Sequence, residues 1–232
     1  MKFRFGGLLA VLAGLGFAPV VSATVIDQST WGPCLGQSTC SVGGASLSAL
    51  PSGRKFESKT VAGQAGLGIS GLTAGEIDIG EYFNVSYGVS ETISGIQIVF
   101  IYNGPEFNDV AEVAKVTVNG TNSFKLKVSR TTDNVAYWDG AGTVSSCGGT
   151  TANGSGCFAI SNPFGDIGVT SLSFTALTGR SSLIGGASSN QSDFAIGYIR
   201  GTQRVSEPGS VALLGAGLLA LGLVSIRRRR PG

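Results

Sequence analysis

The chain contains no histidine, two tryptophans and one methionine in 232 residues, and only 13% of it is charged. Without histidine there is no Ser-His-Asp or Cys-His nucleophile and no histidine-ligated zinc or iron. With so little charge, solubility must rest on Ser, Thr, Asn and Gly. A basic footprint is missing too. Six of the 16 basic residues lie at the two ends, which leaves ten between them against 14 acids, all from Asp27 to Glu207. The central part therefore carries a net charge of about −4, which excludes nucleic acid as a partner. No stretch from 24 to 204 shows a convincing 3.6-residue period, and no linker or internal repeat divides it. These roughly 180 residues suffice for one domain with a core.

Strand patterns are what the middle of the chain does contain. Glu76 to Tyr82 alternates and continues through Phe83 to Tyr87. Ile93 to Tyr102 reads as a longer, more buried strand. Glu112 to Val118, Ser123 to Ser129, Val169 to Leu177 and Phe194 to Arg200 complete the set. Phe194, Ile196 and Tyr198 are expected to share a face in the last of these. Val110 to Val116 is the nearest helical rival. Asn119-Gly120 between two such runs predicts a tight hairpin. The 37 glycines follow no period, which argues for turns rather than collagen. Short period-2 runs bounded by Gly, Asn, Pro and Ser predict an all-β fold, an antiparallel two-sheet sandwich, jelly-roll-like or immunoglobulin-like.

Four cysteines, Cys34, Cys40, Cys147 and Cys157, allow three pairings. The local ones, Cys34 with Cys40 and Cys147 with Cys157, are favoured because each brackets a Gly/Ser/Thr-rich loop. Their spacing does not suit a zinc knuckle.

Three constellations could carry chemistry. Glu76, Asp78 and Glu81 are close enough for a carboxylate pair of the kind that hydrolyses glycosides, although Glu76 and Asp78 are expected on a solvated strand face. Glu106, Asp109 and Glu112, with Asn103 and Asn108, could gather oxygens around Ca²⁺, but turn geometry explains the same residues and the spacing is not that of an EF-hand. Trp31, Tyr137, Trp138 and Asp139 could form a sugar-stacking surface, with Asp133 and Asn134 as further hydrogen-bonding groups. The competing expectation places both tryptophans in the core.

The ends of the chain are distinctive. Lys2 and Arg4 precede an apolar run from Gly6 to Val21, and Val21-Ser22-Ala23 predicts a signal peptide over residues 1–23 cut after Ala23. The tail has Val205-Ser206-Glu207-Pro208, an uncharged run of 18 residues over 209–226, and then Arg227, Arg228, Arg229 and Arg230. Such a run is near the lower limit for a bilayer-spanning helix, and the arginines would stay cytoplasmic.

This order of parts resembles the PEP-CTERM sorting signal of Gram-negative bacteria. Glu207-Pro208 match the second and third positions of its motif, while Ser206 stands where the first proline usually is. The resemblance covers only residues 205 to 230. It implies recognition by an exosortase, cleavage near the motif, transient residence in the inner membrane, and delivery to the cell surface or an extracellular matrix rich in exopolysaccharide. The expected protein is thus a non-enzymatic, structural or adhesive exported domain without a cofactor, flanked by a signal helix and a transmembrane helix. A carbohydrate-binding module and a carboxylate-based glycoside hydrolase are the alternatives.

Overall fold

One long strand organises the fold. In the computed structural model, which describes residues 23–104, 109–151, 153–180, 192–203 and 217, this strand is β7, Tyr82–Val99. Six strands precede it: β1 Ala23–Ile26, β2 Thr39–Val42, β3 Ala45–Leu50, β4 Phe56–Val61, β5 Gln64–Ser70 and β6 Ala74–Glu76. Seven follow: β8 Ala111–Val118, β9 Asn122–Val128, β10 Ala136–Trp138, β11 Thr143–Ser146, β12 Phe158–Ser161, β13 Val169–Arg180 and β14 Ala195–Gln203. All the strand pairings are antiparallel. The fold is therefore all-β, as the alternating patterns require. Among the described residues of 23–203, a single turn of 3-10 helix, Gly32–Cys34, is the helical element.

β7 changes neighbours along its length. Its first half lies between β3 and β13, with Phe83 opposite both Ala49 and Phe174. Its second half lies between β12 and β14, with Ile98 opposite both Phe158 and Ile196. From β13 the ladder continues through β8 and β9 to β10; from β14 it continues to β1 and β5, and from β5 to β4 and β6. Phe83, Val85, Ile96 and Ile98 are all fully buried, so β7 faces the core in both halves. Phe56 of β4 meets Phe83 edge-on at 5.2 Å, and Phe83 meets Phe174 at 6.0 Å. Burying each of these rings contributes roughly 2–3 kcal/mol. The Asn119-Gly120 hairpin forms as expected: both residues take positive φ, and the Thr121 N–H donates to the Val118 carbonyl.

The structure corrects several expectations. The helical rival over Val110 to Val116 does not form: the expected Glu112 to Val118 strand lies within β8, between β13 and β9. Glu76 to Tyr82 is not one strand, because β6 ends at Glu76 and Gly80 turns the chain at φ 88° before β7 begins. Tyr198 does not share the buried face of Phe194 and Ile196. A register shift after Ile196 puts Ile199 inside instead, and leaves Tyr198 against the Arg200 guanidinium at 4.3 Å. β1 to β5 carry weak sequence signals, since Ser, Gly and Ala fill many of their positions.

Both expected disulfides form, Cys34–Cys40 and Cys147–Cys157. The expected signal peptide and the tail lie outside the described residues, except for Ala23 and residue 217. No helix among the described residues is long and apolar enough to cross a membrane.

Candidate functional site

Buried carboxylates mark the most unusual place in the domain. Glu76, Asp78, Glu81, Glu112 and Asp193 are each 3–8% exposed. The sequence pattern put Glu76 and Asp78 on a solvated face, and the structure overturns that. Beyond β6 the chain leaves the strand, and the Ile77 N–H donates to the Phe194 carbonyl at 2.6 Å. That bond draws the Glu76 segment alongside the approach to β14, beside Asp193.

Each carboxylate has named partners. Lys59 of β4 donates to Glu76 at 2.8 Å. Asp193 accepts from the Thr73 hydroxyl at 3.0 Å, and Asp78 accepts from the Thr73 N–H at 2.8 Å. The Asp78 N–H donates to Glu81 at 3.2 Å, and Arg54 Nε lies 3.1 Å from the other Glu81 oxygen. That second contact is an ion pair without hydrogen-bond alignment, so Glu81 Oε1 has no hydrogen-bond donor among the described residues. Glu112 accepts from the Tyr102 N–H. A β-carbon at Gly71 would overlap Glu81 Oε1 at 2.1 Å, which ties glycine there to the carboxylate.

The electrostatics follow from burial. Burial pushes Asp193 up to about 8, helped by the negative charge of Glu76 and by a hydrogen bond to it. Burial raises Glu76 as well, against the pull of Lys59 and of its hydrogen bond with Asp193. Burial and their mutual repulsion thus both favour a proton held at the Glu76–Asp193 pair. Burial lifts Glu112 well above the ordinary carboxylate range, and Asp193 adds to that. Glu81 is raised by burial, with Arg54 and the Asp78 N–H opposing. Burial and the charges of Glu76, Glu112 and Asp193 lift the Tyr102 hydroxyl to about 12.

A cavity of about 160 Å³ opens beside this cluster, lined by Arg54, Leu72, Asp78, Ile79, Glu81 and Ser192. It reaches Asp78 and Glu81, and neither Glu76 nor Asp193 lines it. The Glu76–Asp193 pair thus lies outside the cavity lining. No group of three or more carboxylate or cysteine side chains among the described residues is arranged to hold a metal ion.

The other expected constellations are split. Trp31 is 3% exposed and belongs to the core. Trp138 is half-buried, stacked on Phe124 at 5.8 Å and near Phe164 at 6.0 Å, and its indole N–H donates to the Pro163 carbonyl. Of Trp31, Tyr137 and Trp138, Tyr137 presents its ring to solvent, at 60% exposure. Asp139 accepts from the Lys125 N–H and lies 3.8 Å from the Lys127 ammonium. Asp133 accepts from the Asn103 amide, and Asn134 exchanges hydrogen bonds with Thr150. Of the calcium candidates, Asp109 accepts from the Val110 N–H at 2.7 Å, Glu112 points into the buried cluster, and Glu106 lies outside the described residues.

Two features went unread in the sequence. Asp193 stands apart from the other acids, and only the fold brings it to Glu76. Ser52 and Lys55 have Ser-x-x-Lys spacing, but they lie on an exposed turn, where that spacing does not place them on one helix face. No family model, curated protein or solved structure matches the chain.

Proposed function

We propose that this is an exported surface or extracellular-matrix protein, sorted through its tail by an exosortase-type enzyme and serving a structural or adhesive role near exopolysaccharide. The observation that carries this reading is the pairing of all four cysteines, Cys34–Cys40 and Cys147–Cys157. Disulfides persist in oxidising compartments, which an exported protein reaches. The ends of the described domain add support. Ala23 pairs with Thr202, so the segments before β1 and after β14 depart from the same end of one strand pair. The long β7, shared between two sets of neighbours, and the Phe56–Phe83 contact support a two-sheet sandwich. It would lack the inter-sheet disulfide of antibody domains, since both bridges are local.

Intact mass of the protein from its native envelope and medium, measured with and without reductant, tests the reading. The expected result is loss of the residues up to Ala23 and of those beyond the Pro208 region, with a shift of about four daltons on reduction, two hydrogens per disulfide. An intact tail in the membrane fraction would overturn the sorting reading and leave an anchored protein.

A further inference from the structure

Glu91 of β7 is 2% exposed, and no cation among the described residues acts on it. One carboxylate oxygen accepts from the Thr24 hydroxyl of β1 at 3.0 Å. The other, Oε2, has no partner among the described residues. The Tyr87 hydroxyl, 8% exposed, has none either, and burial and the Glu91 charge push its ionisation upward. Burial likewise raises Glu91, opposed only by the Thr24 hydrogen bond. An unpaired buried carboxylate of this kind is costly, and such a group ordinarily has a partner.

Three contacts converge on the missing partner. Thr24 stands opposite Gly201 in the β1–β14 ladder. Val25 turns its own N and C=O toward Gly43, where a β-carbon would lie 3.3 and 2.8 Å from them. Backbone groups of successive strand residues point to opposite edges, so the Thr24 nitrogen faces β14 and Gly201. A β-carbon on Gly201 would lie 3.2 Å from Glu91 Oε2. Covalent geometry also keeps the Thr24 nitrogen within about 4 Å of its own hydroxyl oxygen, the atom already bonded to Glu91.

We propose that Glu91 is a binding site for the chain's own new amino terminus: cleavage after Ala23 frees the Thr24 α-ammonium, which pairs with the Glu91 carboxylate and locks β1 onto β14. The inference rests on the export reading, because it needs cleavage at that bond. In the step, water adds across the Ala23–Thr24 amide, so Ala23 leaves as a carboxylate and Thr24 gains the amine that is protonated. Before cleavage the Thr24 nitrogen is a neutral amide with a single hydrogen. After cleavage it is a cation with three, enough for Gly201 and Glu91 together. Among the described residues, Thr24, Tyr87 and Gln203 are the polar groups set against Glu91 from β1, β7 and β14, and none brings a positive charge. The leader would then suppress the final stability of the domain until export is complete.

The sign of the pH effect is fixed. An α-amine ordinarily titrates near 7.7–8.0, and pairing raises it. The stabilisation is full below pH 7.7 or so and is lost as pH rises through the raised value. The test uses the exported protein. Mass spectrometry first identifies its amino terminus, and pH-dependent labelling with an amine-acylating reagent then titrates the α-amine in the wild type and in Glu91→Gln. The expected result is a chain that begins at Thr24 and is labelled about tenfold more slowly at pH 8 than an unpaired α-amine, with the ordinary rate restored in Glu91→Gln. A chain that begins at Thr24 but labels at the ordinary rate overturns this inference and leaves export standing. A chain that begins elsewhere overturns the cleavage reading and this inference with it. If Glu91→Gln does not fold, the wild-type titration decides alone.

Discussion

Lys59 and Glu76 meet at 2.8 Å from two strands whose common hydrogen-bonded neighbour is β5. The Glu76 side chain is 4% exposed and the Lys59 side chain 37%. Removing the lysine leaves a buried carboxylate without its cation. Lys59→Met should lower unfolding free energy by about 2 kcal/mol, less than the 3–5 of a fully enclosed pair, because Lys59 is partly screened by solvent. The double variant Lys59→Met/Glu76→Gln should recover much of the loss. Urea unfolding of the three proteins checks both statements. Equal stability of the two variants would show that Glu76 does not depend on its cation.

Asp193 gives the domain an acid-side stability optimum. Its ordinary value is 3.8 and the fold lifts it to about 8. The folded state therefore holds a proton that the unfolded chain has released. That contribution is full below pH 4, declines as pH rises, and is gone once pH passes about 8. Glu76, Glu81 and Glu112 shift in the same direction. Melting temperature should be higher at pH 5 than at pH 8.5. Asp193→Asn, whose amide can still donate to Glu76, should flatten this dependence. A melting curve series that rises between pH 5 and 8.5 would contradict the assignment.

How much was legible depends on how local the signal was. Phe124, Leu126 and Val128 alternate with Lys125 and Lys127, and β9 follows that pattern because both its faces are set by those side chains. The Asn119-Gly120 turn and the two short disulfide loops are equally local. The acidic cluster is not. Glu76 and Asp78 alternate with Ile77 and Ile79 as in an exposed strand, yet Gly80 and the Ile77–Phe194 hydrogen bond turn that segment inward. Asp193 reaches Glu76 from 117 residues away. Tyr198 misled for a related reason: the bulge at Gly197 inserts one residue and reverses the alternation.

Glycines separate cleanly into required and replaceable ones. A β-carbon at Gly68 would lie 2.3 Å from the Gly75 carbonyl oxygen, a backbone atom that cannot rotate away. Gly88 of β7 has nothing within 4 Å. Gly68→Ala should lower stability by about 2–3 kcal/mol through forced separation of β5 and β6. Gly88→Ala should be neutral or stabilise by about 0.5 kcal/mol, since alanine costs less entropy on folding. Chemical denaturation of both variants in parallel makes the comparison.

Trp138 and Tyr137 are neighbours in sequence with opposite duties. Trp138 lies in a stack with Phe124 and Phe164 and anchors its N–H on Pro163, so it ties β10 to the segment after β12. Tyr137 points outward from the same strand beside Lys127. Trp138→Ala should cost about 2 kcal/mol, less than a fully buried tryptophan because its ring is only half-covered. Tyr137→Ala should change stability by no more than about 0.5 kcal/mol. A polysaccharide that binds this face would have to use the Tyr137 ring, so a glycan array probed with both variants separates folding from contact. Binding lost in Tyr137→Ala with an unchanged melting temperature would establish a sugar contact. Binding retained in Tyr137→Ala would remove this face as the site.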